Sequence, residues 1–197
     1  MKIAIGCDEA AYNLKIALIE YLRQKHQEIE LCDFGAGAGE TILYPDVARK
    51  VAEEVAAGHF ERGILVCGTG IGMCMTANKV PGIRAAVCHD PYSAERSRKS
   101  NDAQIMCMSE RVIGEELAKC LVEIWLGCDF DGGRSTAKVQ RINDIEKEYR
   151  ACAPLKEERA CTVLLISPNL WLRICSRTTL RRTADSFREH IIPECSS

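Results

Sequence analysis

The chain has 197 residues, 47% of them apolar and 27% charged, enough apolar surface for one domain of ordinary size plus a remainder. Its net charge of −2, from 26 basic and 28 acidic side chains, gives no overall field to recruit nucleic acid or an anionic membrane surface. The longest apolar runs fall well short of a membrane span, which excludes a spanning helix.

Lys2 to Cys7 is a short apolar run that ends at Asp8, the pattern of a buried strand. That acid also comes too early for a signal peptide, so a reducing, cytoplasmic setting is expected. Ala10, Leu14, Ala17, Leu18, Tyr21 and Leu22 then recur at helical spacing to about Lys25. Glu28 to Phe34 alternates polar and apolar residues and predicts a second strand, followed by a loop through Gly35, Gly37 and Gly39. Pro45 and Asp46 open a helix through Ala57, since proline suits a first turn and an acid there favours the helix dipole.

Gly63 to Val66 predicts the third strand, and Cys67-Gly68-Thr69-Gly70-Ile71-Gly72 a glycine turn into a helix reaching Lys79. A fourth strand (Arg84 to Cys88), a helix (Pro91 to Ser100), a fifth strand (Ile105 to Met108) and a long helix (Val112 to Leu126) follow. A last helix carries Val139, Ile142, Ile145 and Tyr149. Strands and helices alternating in this way predict an α/β fold with helices on both faces of a parallel sheet. The expected form is a flavodoxin-like three-layer α/β/α sandwich with five strands in the order 2-1-3-4-5. Strands 1 and 3 would be neighbours at a switch point, which brings Asp8 and Cys67 to one crevice.

Residues 151–197 read differently: clusters such as CSRTTLRRT show no period, and the apolar stretch from Cys161 is broken by Ser-Pro-Asn. An extension without its own core, poorly ordered, is expected there. The twelve cysteines are spread singly, and the four histidines (His26, His59, His89, His190) lack ligand spacing. Neither a disulfide framework nor a structural metal is therefore expected.

The glycine turn exposes backbone N–H groups that could hold an anion or an oxyanion. Its G-x-G-x-G spacing is neither a dinucleotide nor a P-loop pattern, so no nucleotide cofactor is expected. Cys67, leading into the turn, has two readings: a packed small hydrophobe, or a thiolate base or nucleophile.

With these residues assembled, the chain resembles the ribose 5-phosphate isomerase B and galactose 6-phosphate isomerase family. The resemblance rests on GCDEAAYNLK, YPDVA, GILVCGTGIGMCMTANKVPGIRAAVC, SRKSNDAQ, SERVIGEELAK and the GGR before the last helix. It covers about residues 1–150 and implies a flavodoxin-like, dimeric enzyme with no metal or organic cofactor, acting on a small sugar phosphate. It also implies aldose–ketose isomerisation through an enediolate. Cys67 would be the base, and the Gly68, Gly70, Ile71 and Gly72 turn with Thr69 would hold the developing oxyanion. Asp8 would bind a hydroxyl and Asn101 the substrate oxygens. Arg111, Arg134 and Lys138 would clamp the phosphate, with Arg134 and Lys138 on one helix face and lysine in place of the usual arginine.

Three positions depart from that pattern, with Glu9, Ser100 and Ser135 where histidine is usual. The histidine matching Ser100 is the acid that opens a furanose ring, and a serine hydroxyl cannot do that near neutral pH. Two substrates are therefore expected as alternatives: ribose 5-phosphate, or a tetrose 4-phosphate such as erythrulose 4-phosphate, which needs no ring opening. A non-catalytic sugar-phosphate binder is the alternative from another class.

Overall fold

The computed structural model describes residues 1–151. The expected extension, 151–197, lies outside the described residues except for Ala151, which ends the last helix. The strands are β1 (Lys2–Cys7), β2 (Glu30–Asp33), β3 (Arg62–Cys67), β4 (Ala85–Val87) and β5 (Ile105–Ser109). The helices are α1 (Tyr12–Lys25), α2 (Tyr44–Ala56), α3 (Ile71–Ala77), α4 (Pro91–Lys99), α5 (Glu115–Leu126) and α6 (Thr136–Ala151), with 3-10 turns at Glu9–Ala11 and Gly133–Ser135.

All strand pairs are parallel, and alternation of side chains sorts the core into two layers. Ile3, Ile5 and Cys7 of β1, Ile64 and Val66 of β3, and Met106 and Met108 of β5 pack with Leu14, Leu18 and Leu22 of α1 and Leu121, Val122 and Trp125 of α5. On the other face Ala4, Leu65, Cys67, Ile105 and Cys107 meet Val47, Val51 and Val55 of α2 and Met73 and Ala77 of α3. β1 and β3 are neighbours, with α1 and α3 on opposite faces, so the expected switch point lies at their carboxyl ends.

The sheet order is β2-β1-β3-β5-β4, which corrects the expected 2-1-3-4-5 by exchanging the last two strands. Burial explains the exchange. Every residue of β5 is buried, as a strand flanked on both sides must be, whereas β4 has three half-buried residues and suits the edge. Arg134 also differs from expectation: it lies in the 3-10 turn before α6, so it and Lys138 are not an α-helical i, i+4 pair. Among the described residues no helix is long and apolar enough to cross a membrane.

Candidate active site

β3 carries Cys67 to the carboxyl edge of the sheet, where it pairs in register with Ser109 of β5. β1 pairs Cys7 with Val66, so Asp8 follows directly beside Cys67. The Cys67 side chain is buried, 5% exposed, and the Gly70 N–H donates to its Sγ at 3.1 Å. This hydrogen bond requires a tight reversal, and Gly70 provides it with φ of 75°. A Cβ at Gly70 would sit 3.1 Å from the Met108 carbonyl carbon and oxygen, so the turn presses on the β5 backbone.

The Ser109 hydroxyl holds this arrangement from the other side. Its Oγ donates to the Gly68 carbonyl at 2.6 Å and accepts from the Val112 N–H at 3.1 Å. The Arg111 side chain lies over Gly68, where a Cβ would be 3.4 Å from its Nε. The exposed Tyr44 ring lies over Gly72, the last glycine of the turn. Glu110 accepts from the Leu14 N–H at 3.1 Å and ties the start of α1 to the same edge. Ser109, Glu110 and Tyr44 fall inside the sequence motifs SERVIGEELAK and YPDVA, but the motifs assign them no role. Each stands next to an element end, and only the fold shows what it holds.

Asp8 is the electrostatically uncomfortable group. It is 9% exposed, and its Oδ1 has no hydrogen-bond partner among the described residues. Burial pushes its carboxyl up from the ordinary range, and the Glu9 charge adds to this, while backbone hydrogen bonds and Arg111 act against it. A buried acceptor left open beside a thiol is poised for a ligand hydroxyl. Thr69 is exposed, and its Oγ1 receives only a long 3.4 Å hydrogen bond from the Ile71 N–H. The Gly70 and Ile71 N–H groups are thus engaged within the turn, and Glu9 accepts from the Ile42 N–H at 3.4 Å.

The remaining expected site residues lie elsewhere in the chain. Asn101 follows α4 and precedes β5, so it sits toward the amino edge of the sheet. Its side chain donates to the Arg96 carbonyl at 3.1 Å, and Arg84 donates to its carbonyl. The Asp131 N–H donates to the Lys99 carbonyl, which brings the Gly133–Ser135 turn, with exposed Arg134 and half-buried Ser135, to the end of α4. Lys138 is exposed on α6. Ser100 Oγ is 3.5 Å from Arg96 Nη1. The length of β5 alone separates this group from Cys67 by about 13 Å, four steps at roughly 3.3 Å each. The single chain therefore gathers Asp8, Cys67, the glycine turn and Arg111, and does not join Asn101, Arg134 and Lys138 to them.

His89, just beyond β4, is on the same sheet edge as Cys67. Its Nε2 is buried without a partner among the described residues, and burial lowers its proton affinity, which the Asp90 charge partly opposes. Among the described residues no three His, Cys, Asp or Glu side chains are gathered as metal ligands would be.

Known proteins share this fold. A family model described as Ribose/Galactose Isomerase matches residues 3–142. The chain is 57% identical over 150 residues to Ribose-5-P isomerase B of Listeria innocua, covering 76% of this chain and 100% of that protein. It is 50% identical over 150 residues to D-erythrulose-4-phosphate isomerase of Pectobacterium atrosepticum, covering 76% of this chain and 98% of that one. The solved structure of Clostridium thermocellum ribose-5-phosphate isomerase B matches with a TM-score of 0.73 and 48% identity, over 76% of this chain and 99% of that one. A flavodoxin-like sheet with this thiol-bearing turn at its switch point is the framework of an isomerase. The chain belongs to the ribose/galactose isomerase family.

Proposed function

We propose that this isomerase interconverts the aldose and ketose forms of a sugar phosphate with Cys67 as the base. The observation that carries the reading is the Cys67 thiol held on the Gly70 N–H, beside the open Asp8 carboxylate and Arg111. The Cys67 thiolate removes the hydrogen on C2 of the aldose as a proton, and the electron pair left behind forms the enediolate. The thiol returns that proton to C1, while the O2 hydroxyl proton passes to O1. Asp8 accepts from a sugar hydroxyl, and Thr69 with the free N–H groups of the turn faces the oxygen where charge develops.

Asn101, Arg134 and Lys138 enter this scheme from a second copy of the chain. All three are exposed, and the sheet keeps them from the Cys67 of their own subunit. A dimer in which each Cys67 meets Asn101 of the partner subunit completes the site. Mixing the inactive variants Cys67→Ala and Asn101→Ala tests this, because a mixed dimer holds one intact site. Random exchange then restores roughly a quarter of wild-type activity. No recovery despite exchange would place both groups in one subunit. A thiol base needs a reducing compartment, consistent with the cytoplasm.

The substrate in this reading is ribose 5-phosphate, with ribulose 5-phosphate as product. A specific observation favours a second reading. Ser100, beside the Arg96 guanidinium, has no proton to give to a ring oxygen near neutral pH, and Glu9 adds negative charge next to Asp8. Erythrulose 4-phosphate, which forms no furanose, needs no ring-opening acid at position 100. Assays of wild type and Cys67→Ala on four-, five- and six-carbon sugar phosphates decide both points. The Cys67→Ala change should cost about 10²–10⁴-fold in kcat on the true substrate. Turnover unchanged in that variant would overturn the assignment of the base.

A further inference from the structure

Arg84, just ahead of β4, ties together segments that are distant in the chain. Its Nε donates to the Asn101 carbonyl at 3.1 Å and to the Asp102 carbonyl at 3.0 Å. Its Nη2 donates to Asp102 Oδ2 at 2.8 Å, and its Nη1 to Asn143 Oδ1 of α6 at 3.2 Å. The Arg84 backbone N–H donates to the Gln104 side-chain oxygen at 2.8 Å. The side chain is 14% exposed, so these bonds are largely shielded from water.

Asp102 is held in an unfavourable backbone. Of the described residues other than glycine, it alone has a positive φ, 48°. It closes α4: the Asp102 N–H donates to the Arg98 carbonyl at 3.0 Å and the Ala103 N–H to the Ser97 carbonyl at 2.8 Å. Glycine is the usual residue at such a helix end, because it has no Cβ to strain. Glycine would also lack the carboxylate, whose Oδ1 accepts from Arg98 Nη1 at 3.1 Å while Oδ2 accepts from Arg84. Two arginines thus clamp the residue that follows Asn101, and one of them also holds the Asn101 carbonyl. The Asn101 side chain stays exposed.

We propose that Arg84 is a positioning residue for the isomerisation: with Asp102 it fixes the backbone of Asn101 and so aims that side chain at the substrate oxygens. The inference rests on the proposed role of Asn101 as a substrate contact. Through Asn143 the same guanidinium holds α6, the helix that carries Lys138, in place beside the Asn101 segment. The planar fork matters as much as the charge. A lysine ammonium is a point donor and cannot span two carbonyls, a carboxylate and an amide. Misplacing a substrate-contacting group by about an ångström costs up to about a hundredfold in rate.

The test compares Arg84→Lys, Asn101→Ala and the double variant in the full chain, each checked for folding by thermal unfolding. Arg84→Lys is expected to lower kcat/KM on the sugar phosphate turned over by wild type by roughly tenfold to a hundredfold. In the Asn101→Ala background, read as residual turnover at high enzyme concentration, the same change should cost nothing further, because the group it positions is gone. Subunit mixing gives a second readout. Arg84→Lys mixed with Cys67→Ala should recover roughly a quarter of wild-type activity, since the mixed dimer joins an intact Cys67 to an intact Asn101 segment. Mixed with Asn101→Ala it should recover none. A merely structural defect would harm the Cys67 of its own subunit and block both recoveries. If Arg84→Lys does not fold, Asp102→Asn, which tolerates the positive φ and loses the charge, should show the same pattern. Losses that multiply in the double variant would overturn the proposal. Full turnover by Asn101→Ala would instead remove Asn101 from the site and leave Arg84 nothing to position. If Cys67→Ala and Asn101→Ala do not complement each other, the shared site falls and the double variant alone decides.

Discussion

Replacing Gly70 with alanine tests how the active-site turn is built. At φ of 75° an L residue is in the left-handed region, which costs about 1–2 kcal/mol. The added Cβ would also sit 3.1 Å from the carbonyl of Met108 in the wholly buried β5, a backbone contact that cannot swing aside. Overpacking of that kind costs about 1–3 kcal/mol, so the total is roughly 2–5 kcal/mol. At about 2–4 °C per kcal/mol for a domain of this size, the melting temperature should drop by roughly 4–20 °C. Moving the Gly70 N–H off the Cys67 sulfur should lower kcat as well. Gly72→Ala is the control: its Cβ would meet the Tyr44 ring at 2.6 Å, but that ring is 41% exposed and can rotate outward. Its place inside α3 even favours alanine by about 0.5–1 kcal/mol. Denaturant unfolding and steady-state kinetics on both variants give the comparison. Equal stability of the two would refute the idea that backbone contact and positive φ fix the turn.

Ser109→Ala removes the 2.6 Å hydrogen bond to the Gly68 carbonyl and the acceptor for the Val112 N–H, leaving two part-buried groups unpaired. A loss of about 1–3 kcal/mol is expected by urea unfolding, with a fall in kcat, and no change in either would remove Ser109 from the architecture of the site. Asp8→Asn should behave in the opposite way on stability. It relieves a buried carboxylate whose Oδ1 has no partner, so the free protein should melt at the same or a higher temperature at pH 7. The same change should lower kcat/KM by about 10–100-fold, through loss of a charged hydrogen bond worth about 1.5–3 kcal/mol. Two histidines should tilt the pH dependence of stability in opposite directions. His89 has lowered proton affinity through burial, so the unfolded chain binds more protons and stability falls as pH drops below about 6.5. His26 is raised by its hydrogen bond to Glu123, so its contribution is complete below about 6.5 and is lost as pH rises through its folded value. Unfolding of His89→Gln and His26→Gln between pH 5 and 8 should therefore show slopes changed in opposite senses. Slopes changed in the same sense would contradict the burial of one ring and the ion pairing of the other as the sources of these shifts.

The amino-acid sequence alone determined the elements and the half of the site that lies on one sheet edge. Strand and helix periods are local, and so is a glycine turn, so Cys67 could be placed at the end of β3 beside Asp8 before any strand was paired. Pairing is a different matter. Whether β4 or β5 lies next to β3 depends on which strand can be covered on both sides, and the three half-buried residues of β4 take the edge while fully buried β5 goes inside. That exchange puts Met108 under Gly70 and Ser109 beside Cys67, contacts no residue spacing announces. The tertiary structure alone also shows that Asn101, Arg134 and Lys138 stand away from the thiol. Sequence motifs record which residues a reaction uses; a parallel sheet, with its two chemically distinct edges, decides which of them one chain can bring together.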